Sequence, residues 1–134
     1  KTMTTQPKKS ILIVDDDQSV NTIFEFILQQ AGYNTYTAES GESCLKIISS
    51  NKKIDLIFLD IKLPGISGIE TLKKIHESNP SYIVIMITGQ KIDEVIEESF
   101  DRGAYGIIYK PFDVEEVLTI VKKIFKPKKQ AKRK

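Results

Sequence analysis

Short runs of apolar residues alternate along the chain with longer segments in which apolar residues recur every three or four positions. The short runs are typical of buried parallel strands, and the longer segments are typical of helices that bury one side. The pattern predicts strands over about 10–15, 33–37, 54–60, 82–88 and 105–109. The run over 54–60 is almost continuously apolar, which predicts a central strand.

A helix is predicted after each strand, from apolar spacing and from residues typical of helix ends. Ser40, Ser67 and Asp113 are predicted N-caps, whereas Gly32 and Gly103 end the first and fourth helices. Since right-handed crossovers place helices on both faces of a parallel sheet, the sequence predicts a doubly wound α/β domain with five parallel strands. The apolar residues that mark the helices are, in chain order, Val20, Ile23, Phe24, Ile27 and Leu28; Leu45 and Ile48; Leu72 and Ile75; Ile92, Val95, Ile96 and Phe100; and Val117, Leu118, Val121, Ile124 and Phe125.

The length of 134 residues indicates one domain with a substantial core. Hydrophobic residues make up 40% and charged residues 28%, as is ordinary for a globular protein. The apolar runs are too short to span a membrane, and the first residues lack the apolar core of a signal peptide. We therefore expect a cytoplasmic protein without membrane association. Cys44 is the only cysteine, which excludes an internal disulfide and predicts a role in helix packing.

The formal net charge of +2 combines an acidic body with basic ends. Residues 126–134 hold six basic residues and no acidic residue, and three further lysines lie in 1–9. The remaining 10–125 hold 11 basic and 18 acidic residues, a formal charge of about −7. We expect a flexible segment over 1–9, a folded domain over 10–125 and a basic tail or linker start over 126–134. The acidic body predicts no sequence-specific binding to nucleic acid.

Polar residues follow four of the five predicted strands at the point where each strand ends. Asp15 and Asp16 follow the first strand, Asp60 ends the third, Thr88 ends the fourth and Lys110 follows the fifth. The carboxyl ends of parallel strands meet at one edge of the sheet, where open α/β sheets bind ligands. Taken singly, each residue is typical of a helix cap or a solvated loop. Together, three carboxylates, a hydroxyl and an ammonium group suit a divalent cation and a phosphoryl group.

The motifs at these strand ends occur together in one known family. They are ILIVDD at 11–16, LIFLDIKLPGISG at 56–68, IMITG at 85–89 and KPF at 110–112. Over about 10–125 the chain resembles the CheY-like receiver domains of two-component response regulators. The resemblance implies a flavodoxin-like (βα)5 fold with strand order 2-1-3-4-5. It also implies a phosphorylation-activated switch that is not an enzyme beyond self-catalysed phosphoryl transfer and autodephosphorylation.

The resemblance makes Asp60 the acceptor of a phosphoryl group from a histidine kinase or a histidine phosphotransfer protein. Asp15, Asp16, Asp60 and the backbone carbonyl of Lys62 resemble the protein ligands of Mg²⁺ in this family. The donor set is chemically suitable, because Mg²⁺ prefers oxygen ligands and is commonly held by one or two carboxylates together with phosphate oxygens.

Thr88 and Lys110 resemble the residues that bind the acquired phosphoryl group, the first as a hydrogen-bond donor and the second as a positive charge. Gly89 leaves the phosphoryl site open. Gln90 and Lys62 resemble the two residues that flank the path of the attacking water. A Lys62 side chain that reaches toward the phosphoryl oxygens would exclude that water, so we expect a long-lived aspartyl phosphate.

Two further positions bear on the expected switch. The family's bond between the lysine and the next residue is typically cis, which implies a cis bond before Pro111. The family commonly has an aromatic residue three positions before the lysine, where this chain has Ile107. We therefore expect signalling through Thr88 and the fourth helix. The surface of the fourth helix, fifth strand and fifth helix would control an unknown partner or output domain, or form a phosphorylation-dependent homodimer.

Three alternatives stand beside this interpretation. A haloacid-dehalogenase-like phosphatase would carry a second Asp two residues after the nucleophile, where this chain has Lys62. A flavodoxin-like cofactor binder would have a loop rich in Gly, Ser and Thr after the first strand, where this chain has three aspartates at 15–17. A receiver-like interaction module that takes no phosphate stays open, although the five site residues are present.

Four other side chains have ordinary structural interpretations. His76, the only histidine, lies beside Glu77 on the third helix and is predicted to be solvated rather than to serve as a phosphorelay histidine. Asp17 is predicted to cap the first helix or carry an outer charge rather than bind the cation. Phe100 and Phe112 are predicted to be packing residues.

Overall fold

Five parallel strands form one sheet, and a helix follows each strand. The computed structural model describes residues 7–50 and 52–126. The strands are β1 (Ser10–Val14), β2 (Asn34–Ala38), β3 (Leu56–Asp60), β4 (Val84–Thr88) and β5 (Gly106–Tyr109). The helices are α1 (Gln18–Gln30), α2 (Gly41–Ile48), α3 (Gly68–Ser78), α4 (Asp93–Asp101) and α5 (Val114–Phe125). Most of the segment predicted over 1–9 and of the basic tail predicted over 126–134 lies outside the described residues.

The strand order is β2-β1-β3-β4-β5, and every neighbouring pair is parallel. The predicted doubly wound fold and its strand order are therefore confirmed, with β3 at the centre. Every residue of β1, β3 and β4 is buried, which agrees with their uninterrupted apolar runs. No helix in the described part of the chain is long and apolar enough to cross a membrane.

Two apolar layers cover the sheet. One packs α1 and α5 on the sheet, and in it the ring of Phe24 lies 4.8 Å from that of Phe58 and 4.7 Å from that of Phe112. The other includes Cys44 of α2 and Leu72 of α3. Burial raises the pKa of the Cys44 thiol to about 12, so this side chain packs as a small neutral residue. The packing predictions for Cys44 and Phe112 are confirmed.

Side-chain caps fix where four of the helices begin. Ser40, Ser67 and Asp113 each accept a hydrogen bond from a backbone N–H in the first turn of the helix that follows. Asp17 caps α1 in the same way, as predicted. Hydrogen bonds from Ser19 to its carboxylate lower the pKa of Asp17, which favours the charged cap.

Helical spacing overestimated the burial of three apolar residues. Ile23 is 49% exposed, Ile92 42% and Phe100 48%, so the packing prediction for Phe100 is wrong. The buried side of α1 passes through Phe24. Neighbouring positions on a helix lie about 100° apart, so Ile23 falls outside that side. Within α4, Ser99 is the one buried residue.

The environment predicted for His76 is also wrong. Its ring is half-buried, with Nδ1 3.1 Å from the carbonyl oxygen of Arg102 and Nε2 2.9 Å from that of Tyr82. Both nitrogens therefore face backbone acceptors rather than solvent. The expectation that His76 is not a phosphorelay histidine stays a prediction.

Phe24→Ala should lower the free energy of unfolding by about 3–5 kcal/mol, because it leaves a cavity between two aromatic rings. Phe26 on the same helix is 65% exposed. Phe26→Ala is therefore the matched control and should change the free energy by less than about 0.5 kcal/mol. Urea unfolding followed by circular dichroism measures both values. Similar losses in the two variants would contradict the orientation of α1.

Candidate functional site

The residues predicted at the strand ends meet in one cleft of about 780 Å³. Asp15 directly follows β1, Asp60 ends β3, Thr88 ends β4 and Lys110 directly follows β5. The parallel pairing explains their convergence: Val14 pairs with Leu59, so the next residues on these two strands are neighbours. The other predicted site residues that line the cleft are Asp16, Lys62, Gly89 and Gln90.

One ammonium group lies against two buried carboxylates. Lys110 Nζ is 3.0 Å from Asp15 Oδ2 and 3.5 Å from Asp60 Oδ2. Both aspartates are buried, and the Lys110 side chain is only 28% exposed. The three groups therefore carry a net negative charge in a place with limited access to water, where charges interact more strongly than on the surface.

Burial and the negative charge of Asp15 raise the pKa of Asp60 to about 6, although Lys110 opposes them. Burial acts to lower the pKa of Lys110. The hydrogen bond to Asp15 and the charges of Asp60 and Asp15 outweigh that effect, so the pKa is raised. The lysine thus stays positively charged, whereas Asp60 gains or loses its proton near pH 6.

Three carboxylates are arranged as a cation site would require. Asp15, Asp16 and Asp60 each offer an oxygen, and these oxygens lie within 4.8 Å of one another. Asp15 Oδ2 is buried and, apart from the Lys110 ammonium, has no polar partner among residues 7–50 and 52–126. Such a set of hard oxygen donors fits Mg²⁺. Asp17 is not part of this set, as predicted.

The loop after β3 contacts the cleft through its backbone. The Lys62 N–H donates to Asp60 Oδ1 at 3.4 Å, while the Lys62 side chain is exposed. Gly68 at the start of α3 donates its N–H to the Ile61 carbonyl at 2.8 Å. A Cβ on Gly68 would overlap the Asp60 carbonyl oxygen, so glycine is needed for α3 to begin this close to Asp60.

The loop after β4 is closed by the Thr88 hydroxyl. Its Oγ1 donates to the Gln90 carbonyl oxygen at 3.0 Å and accepts from the Gln90 N–H at 3.1 Å. Gly89 between them is exposed, and nothing would contact a Cβ there. After the next strand, β5, the peptide bond between Lys110 and Pro111 is cis.

Two residues that support the site were not predicted from the sequence. Asn21 is buried in α1, and its side-chain amide donates to the carbonyl oxygens of Asp15 at 2.9 Å and Ala38 at 3.2 Å. The signal was a polar residue one turn before Phe24, on the buried side of a helix. Glu42 of α2 accepts a hydrogen bond at 3.3 Å from the backbone N–H of Ile66, and no local pattern indicates that contact.

The family model of the response regulator receiver domain matches residues 11–122, and the chain belongs to this family. Sporulation initiation phosphotransferase F of Bacillus subtilis (strain 168) is 36% identical over 115 residues, which cover 86% of this chain and 92% of that protein. Other curated relatives are longer: the chain spans 49% of the alkaline phosphatase synthesis transcriptional regulatory protein PhoP of the same organism and 24% of the DNA-binding transcriptional regulator NtrC of Escherichia coli (strain K12).

Two solved structures share the fold closely. A CheY-like response regulator receiver domain protein from Methanospirillum hungatei JF-1 superposes with a TM-score of 0.83 at 35% identity, covering 87% of this chain and 93% of that one. A chain of the CheX-CheY-BeF3-Mg complex from Borrelia burgdorferi gives a TM-score of 0.81 at 32% identity, covering 87% of this chain and 89% of that one. Receiver domains are phosphorylation-activated switches rather than catalytic enzymes in general, and they bind Mg²⁺ at an acidic pocket.

Asp60→Asn should stabilise the metal-free protein at neutral pH, because the amide removes a buried negative charge. The pKa of Asp60 is about 6 in the folded protein and about 4 in an unfolded chain. The folded state therefore binds this proton more tightly, and stability is lost as the pH rises from about 4 to about 6. The gain from Asp60→Asn should be about 1–3 kcal/mol above that range and vanish below it.

Urea unfolding in EDTA at about pH 7.5 and about pH 4, the lower limit of that range, measures this difference. Asp101→Asn, at an exposed carboxylate of α4, is the control and should change the free energy of unfolding by less than about 0.5 kcal/mol at either pH. A gain in Asp60→Asn that is equal at both pH values would show that burial of the ionised carboxylate is not its cause.

Proposed function

We propose that this chain accepts a phosphoryl group on Asp60 from a histidine kinase or a histidine phosphotransfer protein. Once phosphorylated, it changes the surface formed by α4, β5 and α5 and so controls a partner or output domain. The observation that carries the proposal is the buried Asp60 carboxylate, which lines the cleft at the end of the central strand beside Lys110.

The chemistry assigned to Asp60 is nucleophilic. One of its carboxylate oxygens attacks phosphorus while the bond between phosphorus and the donor's imidazole nitrogen breaks, and the electron pair of that bond stays on the nitrogen. Lys110 Nζ, 3.5 Å from Asp60 Oδ2, is near enough to pair with the phosphoryl oxygens. Because the pKa of Asp60 is about 6, the carboxylate form predominates at neutral pH.

Asp15, Asp16 and Asp60 are the proposed side-chain ligands of Mg²⁺, and the backbone carbonyl of Lys62 is the proposed fourth ligand. The bound cation supplies positive charge that offsets the charge of the carboxylates and the phosphoryl oxygens. The buried Asp15 Oδ2 supports this assignment, since it has no hydrogen-bond partner in the described part of the chain beyond its ion pair with Lys110.

The proposed switch begins at Thr88. Its hydroxyl donates to the Gln90 carbonyl, and a phosphoryl group on Asp60 offers it a charged acceptor, which forms a stronger hydrogen bond. The exchange draws the loop before α4 toward Asp60 and biases the position of that helix. Ile107 is half-buried against the apolar layer that contains Met86. Because isoleucine is not aromatic, this position has no ring whose rotamer could change together with Thr88.

The remaining assignments are predictions that follow from the family and from the charge. They comprise a cytoplasmic location, an unidentified output partner or domain and a phosphorylation-dependent homodimer. Because 10–125 carries a formal charge of about −7, we infer no sequence-specific binding of nucleic acid by this domain. Resetting of the signal by autodephosphorylation is likewise a proposal.

Wild-type protein incubated with acetyl phosphate and Mg²⁺ should gain one phosphoryl group by intact mass, and Asp60→Asn should gain none because it lacks the nucleophile. Asp15→Ala and Asp16→Ala should lose most of the modification, since each removes a proposed ligand of the cation.

Asp101→Asn again serves as the control and should be modified like the wild type. A phosphoryl group that persists on Asp60→Asn would contradict the assignment of the acceptor. Full modification of Asp15→Ala in the presence of Mg²⁺ would contradict the proposed cation site.

Lys62→Ala should shorten the lifetime of the aspartyl phosphate several-fold in Mg²⁺. The lysine stem is proposed to occupy space that an in-line water needs, and Lys110 and the cation already supply the positive charge. Loss of the phosphoryl group is followed by intact mass after removal of acetyl phosphate, with exposed Lys73→Ala on α3 as the control. An unchanged or longer lifetime in Lys62→Ala would refute the steric argument.

A further inference from the structure

His76 of α3 contacts two other segments through its two ring nitrogens. Nδ1 lies 3.1 Å from the carbonyl oxygen of Arg102, the residue that follows α4. Nε2 lies 2.9 Å from the carbonyl oxygen of Tyr82, which precedes β4. A neutral imidazole donates one of these hydrogen bonds, and the protonated ring donates both. The His76 ring on α3 therefore lies against both the start of β4 and the end of α4, and the tautomer decides which of the two carbonyls accepts its hydrogen bond.

Gly103 makes room for this contact. A Cβ on Gly103 would lie 2.9 Å from His76 Nδ1 and 3.0 Å from Cε1. Its φ of +99° also belongs to the left-handed region that favours glycine. The imidazole thus packs directly over the turn that ends α4, where any other residue would displace it.

The two ends of α4 are held differently. At the C-terminal end, the N–H of Arg102 donates to Glu98 and that of Ala104 to Ser99, both at 2.9 Å, and Ser99 is buried. At the N-terminal end, the cap residue is Ile92, which gives no side-chain cap hydrogen bond. The contact with His76 of α3 adds a further link at the C-terminal end of α4, which already has more contacts than the N-terminal end.

We propose that His76 is a positioning residue for the switch. With its proton placed on Nδ1, the ring donates to the Arg102 carbonyl and makes the C-terminal end of α4 the fixed point about which the N-terminal end moves. This inference rests on the proposed function, in which the loop closed by Thr88 and Gln90 moves on phosphorylation. Since that loop leads into the N-terminal end of α4, a fixed far end converts its motion into a tilt of the helix.

Three variants separate the two contacts of the ring. The amide nitrogen of an asparagine corresponds to Nδ1 of histidine, and that of a glutamine corresponds to Nε2. His76→Asn can donate to Arg102, His76→Gln can donate to Tyr82, and His76→Ala can donate to neither. The asparagine and glutamine variants are matched controls, because both replace the ring with a neutral amide.

The first measurement is amide hydrogen exchange without ligand. Arg102, Gly103 and Ala104 should exchange about fivefold faster in His76→Ala and His76→Gln than in wild type, the factor that corresponds to loss of a hydrogen bond worth about 1 kcal/mol. His76→Asn should resemble the wild type. Amides of β1 should keep the wild-type rate in all three variants, which excludes a general loss of stability.

The second measurement repeats hydrogen exchange with beryllofluoride and Mg²⁺, which imitate the phosphoryl group. In wild type and His76→Asn, exchange should change in the first turn of α4 and stay constant in its last turn. In His76→Ala and His76→Gln, the change should extend to the last turn. A residue that only stabilised the fold would not alter where the response to beryllofluoride stops.

Equal exchange at 102–104 in wild type and His76→Ala would overturn the inference. So would identical behaviour of the asparagine and glutamine variants. A wild-type protein that shows no response to beryllofluoride would contradict the proposed function instead, and the comparison without ligand would still decide whether His76 holds the end of α4.

Discussion

Asp15 and Asp60 are two buried carboxylates at one edge of the sheet, and one ammonium group, that of Lys110, lies against both. Two negative charges and one positive charge leave an uncompensated charge where water is scarce, which is costly. Burial and this imbalance raise the pKa of Asp60, and Asp15 Oδ2 has no hydrogen-bond partner in the described part of the chain beyond its ion pair with Lys110. An anionic phosphoryl group adds to the same imbalance, so its acceptance requires further positive charge at the site.

The fold holds the Asp15 and Asp60 carboxylates close together through contacts made by other residues and by the backbone. Parallel pairing of Val14 with Leu59 puts the next two residues side by side. The Asn21 amide joins the backbone after β1 to the end of β2, and Gly68 lets α3 begin against the Asp60 carbonyl. Because β1 and β3 are buried along their whole length, the repulsion is balanced by apolar packing on both faces of the sheet.

The sequence predicted the fold and the convergence of the site residues because both follow from local patterns. Each strand ends where an apolar run meets a polar residue, and parallel order brings those ends to one edge. The contacts of Asn21 and His76 could not be predicted in this way, since their partners are distant in sequence and are backbone carbonyls, which every residue has. Exposure of Ile23 and Phe100 depends on how much of each helix its neighbours cover, and apolar spacing does not contain that information.

The weak packing of α4 would allow the proposed change of charge at Asp60 to become a change of surface. Of the nine residues of α4 only Ser99 is buried, whereas α1 and α3 bury four residues each. A hydrogen bond from Thr88 to a charged phosphoryl oxygen contributes about 1.5–3 kcal/mol, which is less than the cost of removing a single large residue from a core. That energy can displace a helix with so few buried contacts, but it cannot displace α1 or α3. Ile92, which precedes α4, and Phe100 within it are partly exposed, so they add apolar area to the surface that is proposed to change on phosphorylation.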